Sequence, residues 1–598
     1  MAPGKSKKIK QNTVQTADKL SSVKETVSEQ TEVTVVADND LICVGIGASA
    51  GGLEALEVFF RNMPVDTGMA FVVVQHLSPD YKSLMGELLS RYTTMNIYRA
   101  EDGIKVLPNS VYLIPPKMNM TIFHGKLFLT AQDFNRGLNL PIDIFLRSLA
   151  QDKGKNAVAI ILSGTGSDGT LGIRSVKEEG GMVMVQDDQS AKFDGMPRSS
   201  IATGLVDYIL PPEKMPEELV KYIKHPYIKR AGKIENIISK DEDILTKILK
   251  ILRDKVGVDF TYYKPATILR RLEKRISINQ INKIENYISF LEQSSSEARI
   301  LYKELLIGVT QFFRDQEAFR ILEEKVIPGI FEGKKPGDTV RIWSVGCSTG
   351  EEAYSLAILL REYMDAKQLN NDVKVFATDI DSESIEYASS GVYPESIVSD
   401  VTPDRLRNGF TKRENSYVVS ERIRRMVIFA SHSVIKDPPF TKIDLIVCRN
   451  VLIYLNAEMQ KRIMAMFYYA LQNSGFLFLG SSETIGELAE GYQPVNSKWK
   501  LYRLKEGFRL PAQYNLHNTI GSLRESKSRV KMSEPGVVSE SLFRLDGLLD
   551  ELVSGFIPPS VLVDSKFELL HVFNDVNKFL IIPAGKANLN ILKMVQPE

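Results

Sequence analysis

The sequence predicts an α/β protein that carries two doubly wound, mostly parallel sheets in one chain. Its 598 residues exceed the roughly 100–200 residues of a usual domain several times over. Short apolar runs alternate with segments of helical period from residue 41 to about residue 210, and a second such series begins at TVRIWSVG. This alternation is typical of βαβ units and parallel sheets. We therefore expect two α/β domains, with a helical subdomain before the second.

The composition along the chain indicates where these domains begin and end. The first residues are rich in Lys, Thr, Ser and Glu, so they bury too little apolar surface to offset the entropy of ordering. Strand-like alternation resumes near the C-terminus in PSVLVDSKFELLHVF. We expect a disordered polar arm over 1–38, an α/β domain over 39–225, a linker over 226–240, a helical subdomain over 241–325, a second α/β domain over 326–505, a linker over 506–540 and a partial α+β segment over 541–598.

Charge and cysteine content narrow the class of protein. Lys and Arg number 75 and Asp and Glu 74, so no overall field favours nucleic acid as a partner. Cys43, Cys347 and Cys448 are far apart in apolar runs, which favours reduced core thiols over disulfides or a metal site. The sequence shows no apolar signal segment and no run of roughly 20 apolar residues. We expect a cytoplasmic protein that binds no metal and is not embedded in a membrane.

A possible nucleophile lies where the first strand turns into a helix. LICVGIG runs into GASAGG, which puts Ser49 on a tight turn between small residues, as an exposed nucleophile beside an oxyanion hole requires. The same turn also satisfies a dinucleotide fingerprint, Gly45-x-Gly47-x-x-Ala50. That alternative needs an acidic residue at the end of the second strand, but FVVVQHL ends in Gln and His.

Two further side chains follow later strands and complete a possible triad. His76 ends the second strand, where a general base for Ser49 is expected because ligand sites collect at the carboxyl ends of parallel strands. Asp168 follows NAVAIILSG within GTGSDG and can orient the imidazole. A single histidine after a strand is more often structural, and Gly-Ser-Asp-Gly is an ordinary turn. Three such residues at three strand ends favour the catalytic interpretation.

The motifs GASAGG, QHLSPDYKS, SGTGSDG and QDDQSAKFDGMPRSSIATGLVDYIL resemble the chemotaxis protein-glutamate methylesterases over about residues 41–225. The resemblance implies that Ser49, His76 and Asp168 form the catalytic triad. It also implies hydrolysis of glutamate methyl esters on a chemoreceptor, and in some members deamidation of glutamine. Family members usually carry an N-terminal receiver domain, whereas here the motifs follow a polar arm. We therefore do not expect phosphorylation control of the usual type.

The second α/β series contains a different kind of turn. TVRIWSVG opens into GCSTGEE and a helix, so a ligand can approach the backbone closely. No lysine follows the last glycine, which excludes a P-loop. The next strand, VKVFATDI, ends in Asp379, where an acidic residue can bond both hydroxyls of a ribose. The pattern predicts a nucleoside ligand without a pyrophosphate.

The segments LLIGVTQFFRD, GCSTGEEAYSLA, FATDID and DLIVCRNVLIYL resemble the chemotaxis receptor glutamate methyltransferases over about residues 241–505. The resemblance implies S-adenosylmethionine as cofactor, with Asp379 on its ribose. The residues implied around it are Thr310, Arg314, Glu352, Asp379, Arg449 and Asn450. The chain departs from the family pattern at Gly308 and Ser433, where Asn is frequent, which predicts weaker cofactor binding.

Two further segments carry expectations of their own. FTYYKPATILRRLEKRI places five cations at helical spacing, and the family resemblance implies that this face docks on acidic receptor helices, although a charge stripe is usually a solvated surface. The segment from about residue 541 resembles the start of a sensory PAS domain.

Two functions remain open on the sequence alone. In one, the chain both methylates receptor glutamates and hydrolyses the resulting esters. In the other, it is a signalling scaffold in which one or both modules bind without turnover.

Overall fold

A computed structural model describes residues 41–76, 85–132, 139–229, 242–306 and 308–511, together with two strands near the C-terminus. The chain divides into two compact units, Met1–Thr519 and Ile520–Glu598. Both α/β domains and the helical subdomain belong to the first unit. No helix among the described residues is long and apolar enough to cross a membrane.

The strands of the first domain are β1 Cys43–Ala48, β2 Ala70–Gln75, β3 Asn96–Arg99, β4 Ile104–Lys105, β5 Ser110–Leu113, β6 Met118–Phe123, β7 Lys126–Ala131, β8 Ala157–Ile161, β9 Met182–Gln186 and β10 Tyr208–Leu210. Seven of them form a sheet with the order β10-β9-β8-β1-β2-β5-β3. All six neighbouring pairs in this sheet are parallel. A smaller antiparallel sheet has the order β4-β7-β6.

Helices cover both faces of this sheet, because successive residues of its buried strands point to opposite sides. In β1, Cys43 belongs to one apolar core and Val44 to the other. A Cβ at Gly45 would lie 2.7 Å from Leu146 Cδ2, so a helix packs directly on this strand. The helices of the domain are Gly52–Asn62, Met85–Leu89, Pro141–Lys153, Thr170–Glu178, Gly195–Ile201 and Met215–Lys224.

The helical subdomain has an apolar core of its own. Its helices are Glu242–Val256, Pro265–Ile278, Ile284–Gln293 and Ser295–Leu306. A short helix, Pro226–Lys229, occupies the start of the predicted linker, since Tyr227 is buried in this core. Phe312 packs instead in the core of the second α/β domain, so the structure places the division earlier than residue 325.

The strands of the second sheet are β11 Thr339–Val345, β12 Asp372–Asp379, β16 Val427–Ser431, β17 Ile443–Cys448, β18 Leu471–Leu479, β19 Tyr492–Asn496 and β20 Leu501–Leu504. They have the order β16-β12-β11-β17-β18-β20-β19. The first four neighbouring pairs are parallel, and the last two pairs are antiparallel. The helices are Gln316–Ile321, a π-helical turn Leu322–Val326, Ile327–Phe331, Glu351–Lys367, Ser382–Ser390, Pro403–Gly409, Glu421–Arg424 and Ala457–Ala470. A small sheet joins β13 Val392–Pro394, β15 Ser416–Val419 and β14 Phe410–Arg413.

The prediction of two doubly wound, mostly parallel domains is confirmed. The PAS-like segment lies mostly outside the described residues and stays a prediction. Within it the structure describes an antiparallel pair, β21 Ser560–Val563 and β22 Leu569–Phe573. Cys43, Cys347 and Cys448 are free and buried.

The predicted receptor-docking face on helix Pro265–Ile278 is largely not a surface. Arg271, Lys274 and Arg275 are all buried, because that helix packs on the first α/β domain. Lys274 Nζ donates to Gly181 O at 2.6 Å, and Arg271 Nη1 donates to Lys177 O at 3.3 Å. The three cations satisfy carbonyl and carboxylate groups inside the molecule, so the docking expectation was wrong for them.

Candidate active sites

The turn after β1 holds Ser49 at the carboxyl edge of the first sheet. Gly51 has φ 71°, a left-handed conformation that favours glycine. The Ser49 N–H donates to Ser163 O at 3.0 Å, and the Gly52 N–H donates to Ser49 O at 2.9 Å. The first bond ties this turn to the turn that follows β8, and the second closes the turn itself. Since β1 lies between β2 and β8, three strand ends converge on the Ser49 hydroxyl.

Ser49, His76 and Asp168 form one chain of hydrogen bonds. The Ser49 Oγ lies 3.2 Å from His76 Nδ1, and His76 Nε2 lies 2.7 Å from Asp168 Oδ2. The imidazole is about one-third exposed, whereas Asp168 is almost fully buried. A proton on Nε2, directed at the carboxylate, leaves Nδ1 free to accept the serine proton. The arrangement therefore supplies a nucleophile, a general base and an orienting acid.

The Asp168 carboxylate is held by backbone donors as well as by histidine. Oδ2 accepts from the Ile142 N–H at 3.0 Å, and Oδ1 accepts from the Asp143 N–H at 2.8 Å and the Gly169 N–H at 2.9 Å. Ile142 and Asp143 lie in the first turn of helix Pro141–Lys153, whose positive dipole end favours an anion. This cradle of backbone donors fixes the position of the carboxylate beside the imidazole.

Asp143 is a second buried carboxyl group next to Asp168. Burial, and then the negative charge of Asp168, raise the pKa of Asp143 well above its usual value. Its Oδ1 accepts from the Gly172 N–H at 2.6 Å. The shift favours protonation of Asp143, because two buried anions side by side repel each other.

Gly164 brings the turn after β8 so close to Ser49 that a larger residue cannot fit. A Cβ there would lie 2.2 Å from Met196 Sδ and 2.8 Å from Ser49 Cβ. We expect Gly164→Ala to displace the nucleophile and lower the ester-hydrolysis rate by about 10²-fold, the order of loss for a misplacement of about 1 Å. Gly86→Ala is the control, since its Cβ would meet only Leu113 Cδ1 at 3.8 Å. Equal rates of methanol release from the two variants would contradict this packing argument.

A cavity of about 290 Å³ lies at the carboxyl edge of the second sheet. It collects residues that follow β11, β12 and β17, which are neighbours in the sheet. Gly346 and Gly350, in the turn after β11, have φ 70° and 91°. The predicted residues Asp379, Arg449 and Asn450 lie on its wall. The structure thus brings together half of the predicted cofactor residues around one space.

Asp379 is the last residue of β12, and its carboxylate organises the glycine turn. Oδ2 accepts from the Ser348 N–H at 2.8 Å, and Oδ1 accepts from the Asp381 N–H at 2.9 Å. Burial raises the pKa of Asp379, and these backbone donors oppose that rise. Each oxygen keeps a second lone pair with which it can accept from a ribose hydroxyl.

Glu352 and Arg314 lie just outside the cavity, where they contact its wall. Glu352 Oε1 accepts from Ser344 Oγ at 3.0 Å, and Glu352 Oε2 accepts from Arg449 Nη1 at 3.3 Å. Arg314 Nη1 donates to the wall residue Val309 at its carbonyl, at 3.2 Å. Thr310 is half-buried beside Val309 and, among the described residues, does not line the cavity. Glu352 and Arg314 can therefore hold the cavity wall in place.

Several buried polar atoms of the cavity wall have no hydrogen-bond partner within the described parts of the chain. They are Ser348 Oγ, His432 Nδ1, Arg174 Nε and Arg449 Nε. Buried polar groups without partners are costly, so this wall fits a ligand rich in donors and acceptors. The two departures from the family pattern, Gly308 and Ser433, also lie on the wall. A Cβ at Gly308 would lie 2.9 Å from Ser348 Oγ, so that hydroxyl fills part of the room an Asn would need.

Sequence reasoning missed two residues that shape this cavity. Glu483 Oε1 accepts from the Leu452 N–H at 2.7 Å and the Val451 N–H at 2.9 Å, and Oε2 accepts from the Gly480 N–H at 2.7 Å. It thereby fixes the turn that follows β17. Arg174 of the first domain donates to Glu351 Oε1 at 2.9 Å. The only signal for Glu483 was its position soon after a buried strand, and for Arg174 there was none.

The folds and sites define a chain that joins a serine esterase domain to an S-adenosylmethionine-dependent methyltransferase. Family models match it in three places: the CheB methylesterase over residues 44–219, the all-alpha domain of the CheR methyltransferase over 243–306, and the SAM binding domain of the CheR methyltransferase over 308–501. The chain belongs to the chemotaxis methyltransferase family and carries a CheB methylesterase domain ahead of it.

Individual proteins are similar to parts of this chain. A 104.1 kDa protein of the hypE 3′ region in Rhodobacter capsulatus is 34% identical over 531 residues, which is 86% of this chain and 55% of that protein. The chain thus spans about half the length of that relative. A chemotaxis protein methyltransferase of Borreliella burgdorferi is 32% identical over 256 residues, covering 42% of this chain and 89% of the relative. The catalytic domain of the Thermotoga maritima CheB methylesterase is 33% identical, with a TM-score of 0.28, and covers 30% of this chain and 97% of that one.

Proposed function

We propose that this chain methylates glutamate carboxylates of a chemoreceptor or related signalling protein and hydrolyses the resulting methyl esters. The observation that carries the proposal is that each half has its own set of converging side chains. The Ser49–His76–Asp168 hydrogen bonds serve ester hydrolysis, and the cavity around Asp379 serves the cofactor. Deamidation of glutamine belongs to the same acyl-transfer chemistry of the triad.

Hydrolysis follows from the geometry of the triad. Ser49 Oγ attacks the ester carbonyl while His76 Nδ1 takes its proton, and the imidazolium then returns that proton to the departing methoxide, which leaves as methanol. Water, deprotonated by the same imidazole, releases the glutamate from the acyl-enzyme. Asp168 stabilises the imidazolium without accepting its proton. No step needs a metal.

Methyl transfer needs alignment more than base catalysis, because an ionised glutamate is already a nucleophile. S-adenosylmethionine supplies an electrophilic methyl group on a positively charged sulfur. In our proposal Asp379 accepts hydrogen bonds from both ribose hydroxyls. Arg449 and Asn450 form the cavity wall at the end of β17. In this proposal the remaining predicted residues support the cavity wall from outside and so set the position of the acceptor. They are Thr310, Arg314 and Glu352.

One experiment with labelled cofactor tests both halves. With [methyl-³H]-S-adenosylmethionine and the cytoplasmic fragment of a chemoreceptor, the parent chain is expected to release label as volatile methanol. Ser49→Ala is expected to leave the label on the receptor as a base-labile ester. If Ser49→Ala yields no receptor ester, the methyltransferase proposal is wrong and a binding scaffold is favoured. If methanol release persists in Ser49→Ala, the triad is not the esterase.

A further inference from the structure

The esterase domain packs against the methyltransferase through charged groups on one helix, Thr170–Glu178. Arg174 pairs with Glu351 in the helix after the glycine turn, and Lys177 pairs with Glu304 of the helical subdomain. Glu178, the last residue of that helix, accepts from Arg314 Nη2 at 2.5 Å. All three contacts join the two enzymatic parts of the chain. The methyltransferase is thus described with the esterase domain docked on it.

The docked esterase domain forms part of the wall of the methyl-transfer cavity. Residues 202–205 and Arg174 line it together with Asp379 and Asn450. Arg174 is 7% exposed, and its Nε lacks a hydrogen-bond partner among the described residues. A receptor glutamate must reach the same cavity to accept the methyl group. Docking therefore limits the space through which a protein substrate can approach.

Glu178 lies beside the cavity and carries the functional group that the enzyme acts on. Its partner Arg314 also donates to the wall residue Val309. The negative charge of Glu178 further raises the pKa of Tyr454, another wall residue, beyond the effect of its burial. The end of the helix is held by Arg271, whose Nη2 donates to Glu178 O at 3.4 Å. A carboxylate of the chain itself is thus held next to the wall of the methyl-transfer cavity, through Arg314.

We propose that Glu178 is an internal competitor of the receptor glutamate, and that its ion pair with Arg314 is one of the contacts that hold the esterase domain against the wall of the methyl-transfer cavity. This inference rests on the proposed function. An acidic receptor segment opens the site by taking Arg314 from Glu178. Because Glu178 belongs to the same chain as Arg314, its effective concentration at Arg314 is high. It therefore competes with the receptor glutamate and weakens acceptor binding. The Glu178 and Arg314 side chains are each about one-quarter exposed, so both regain water when they part.

The same helix connects the two sites physically. It begins two residues after the triad member Asp168 and ends at Glu178, a length of about 13 Å at 1.5 Å per residue. Ser167, just before Asp168, accepts at Oγ from the Ser396 N–H of the methyltransferase at 3.2 Å. Displacement of the helix from the methyltransferase therefore acts next to the triad.

The test uses the full chain in a Ser49→Ala background, so that the methyl ester accumulates. Initial rates are measured with tritiated S-adenosylmethionine and a chemoreceptor cytoplasmic fragment, and affinity for S-adenosylhomocysteine is measured by calorimetry. We expect Glu178→Gln to lower the KM for the receptor about 5- to 10-fold, with kcat and cofactor affinity changed less than twofold. Glu217→Gln is the matched control, since Glu217 is exposed on the same domain and, within the described part of the chain, pairs only with Lys221 of its own helix. It should change none of these quantities.

Each outcome decides a different question. Methyl transfer with an unchanged or raised KM in Glu178→Gln overturns the internal competitor while leaving the proposed function intact. Absence of methyl transfer in every form refutes the proposed function itself. A methyl ester found by mass spectrometry on Glu178 also overturns the proposal, because the residue would then be an acceptor. Methanol release by Glu178→Gln with Ser49 restored checks that the variant folds.

Discussion

Asp168→Asn is expected to lower the kcat for ester hydrolysis by about 10⁴-fold, the magnitude that loss of the acid causes in serine triads. An amide keeps only one acceptor oxygen, whereas Asp168 accepts from His76 and from three backbone N–H groups. If the NH₂ takes the Oδ2 position, it faces His76 Nε2 and reverses the tautomer that makes Nδ1 a base. If it takes the Oδ1 position, it opposes the backbone donors of Asp143 and Gly169. In both cases the negative charge that stabilises the imidazolium is lost.

Asp143→Asn provides the matched control for this experiment. Burial and the negative charge of Asp168 raise the pKa of Asp143 well above its usual value, which favours the neutral carboxyl, and an amide has the same shape as that form. Its hydrogen bond from Gly172 survives through the amide oxygen. We expect methanol release from a pre-methylated receptor within about fivefold of the parent rate. A loss in Asp168→Asn of less than tenfold, or a loss equal to that in Asp143→Asn, would contradict the role proposed for Asp168.

The proximity of Ser49, His76 and Asp168 could be predicted because side chains that follow neighbouring parallel strands meet at one edge of the sheet. Ser49, His76 and Asp168 each follow a strand, and β2, β1 and β8 are neighbours in register, with Ala48 paired to Gln75 and Gly47 to Ile161. The backbone cradle around Asp168 could not be predicted, because it depends on where helix Pro141–Lys153 packs. The raised pKa of Asp143 has the same origin, since only folding buries its carboxyl beside Asp168.

Contacts between domains lie beyond what local pattern can indicate. The helical spacing of Arg271, Lys274 and Arg275 predicts a basic stripe equally well whether the stripe faces water or another domain. A charged stripe is usually solvated, yet here it bonds the carbonyls of Lys177 and Gly181 and the carboxylate of Glu297. The pairing of Arg314 with Glu178 spans 136 residues. Such pairs depend on how two domain cores are placed relative to each other. Composition and periodicity carry no information about that placement.

Asp379→Ala is expected to raise the Kd for S-adenosylhomocysteine at least 100-fold. The substitution removes two acceptors for the ribose hydroxyls, and hydrogen bonds to a charged group contribute about 1.5–3 kcal/mol each. It also releases the Ser348 and Asp381 N–H groups that the carboxylate holds, so the glycine turn loses its support. Calorimetric titration of the full chain measures the change directly, without any receptor. Asp379→Asn, which keeps one acceptor oxygen, should fall between the parent and the alanine variant.

Asp372→Ala is the matched control, since Asp372 is an exposed aspartate at the opposite end of the same strand. It should bind the cofactor product as the parent does. The esterase domain supplies a second control, because methanol release from a pre-methylated receptor should persist in Asp379→Ala if the chain folds normally. Equal binding by Asp379→Ala and Asp372→Ala would remove the basis for placing the ribose at the end of β12. A loss of both binding and esterase activity would instead show that Asp379 supports the fold, because the two sites share one compact unit.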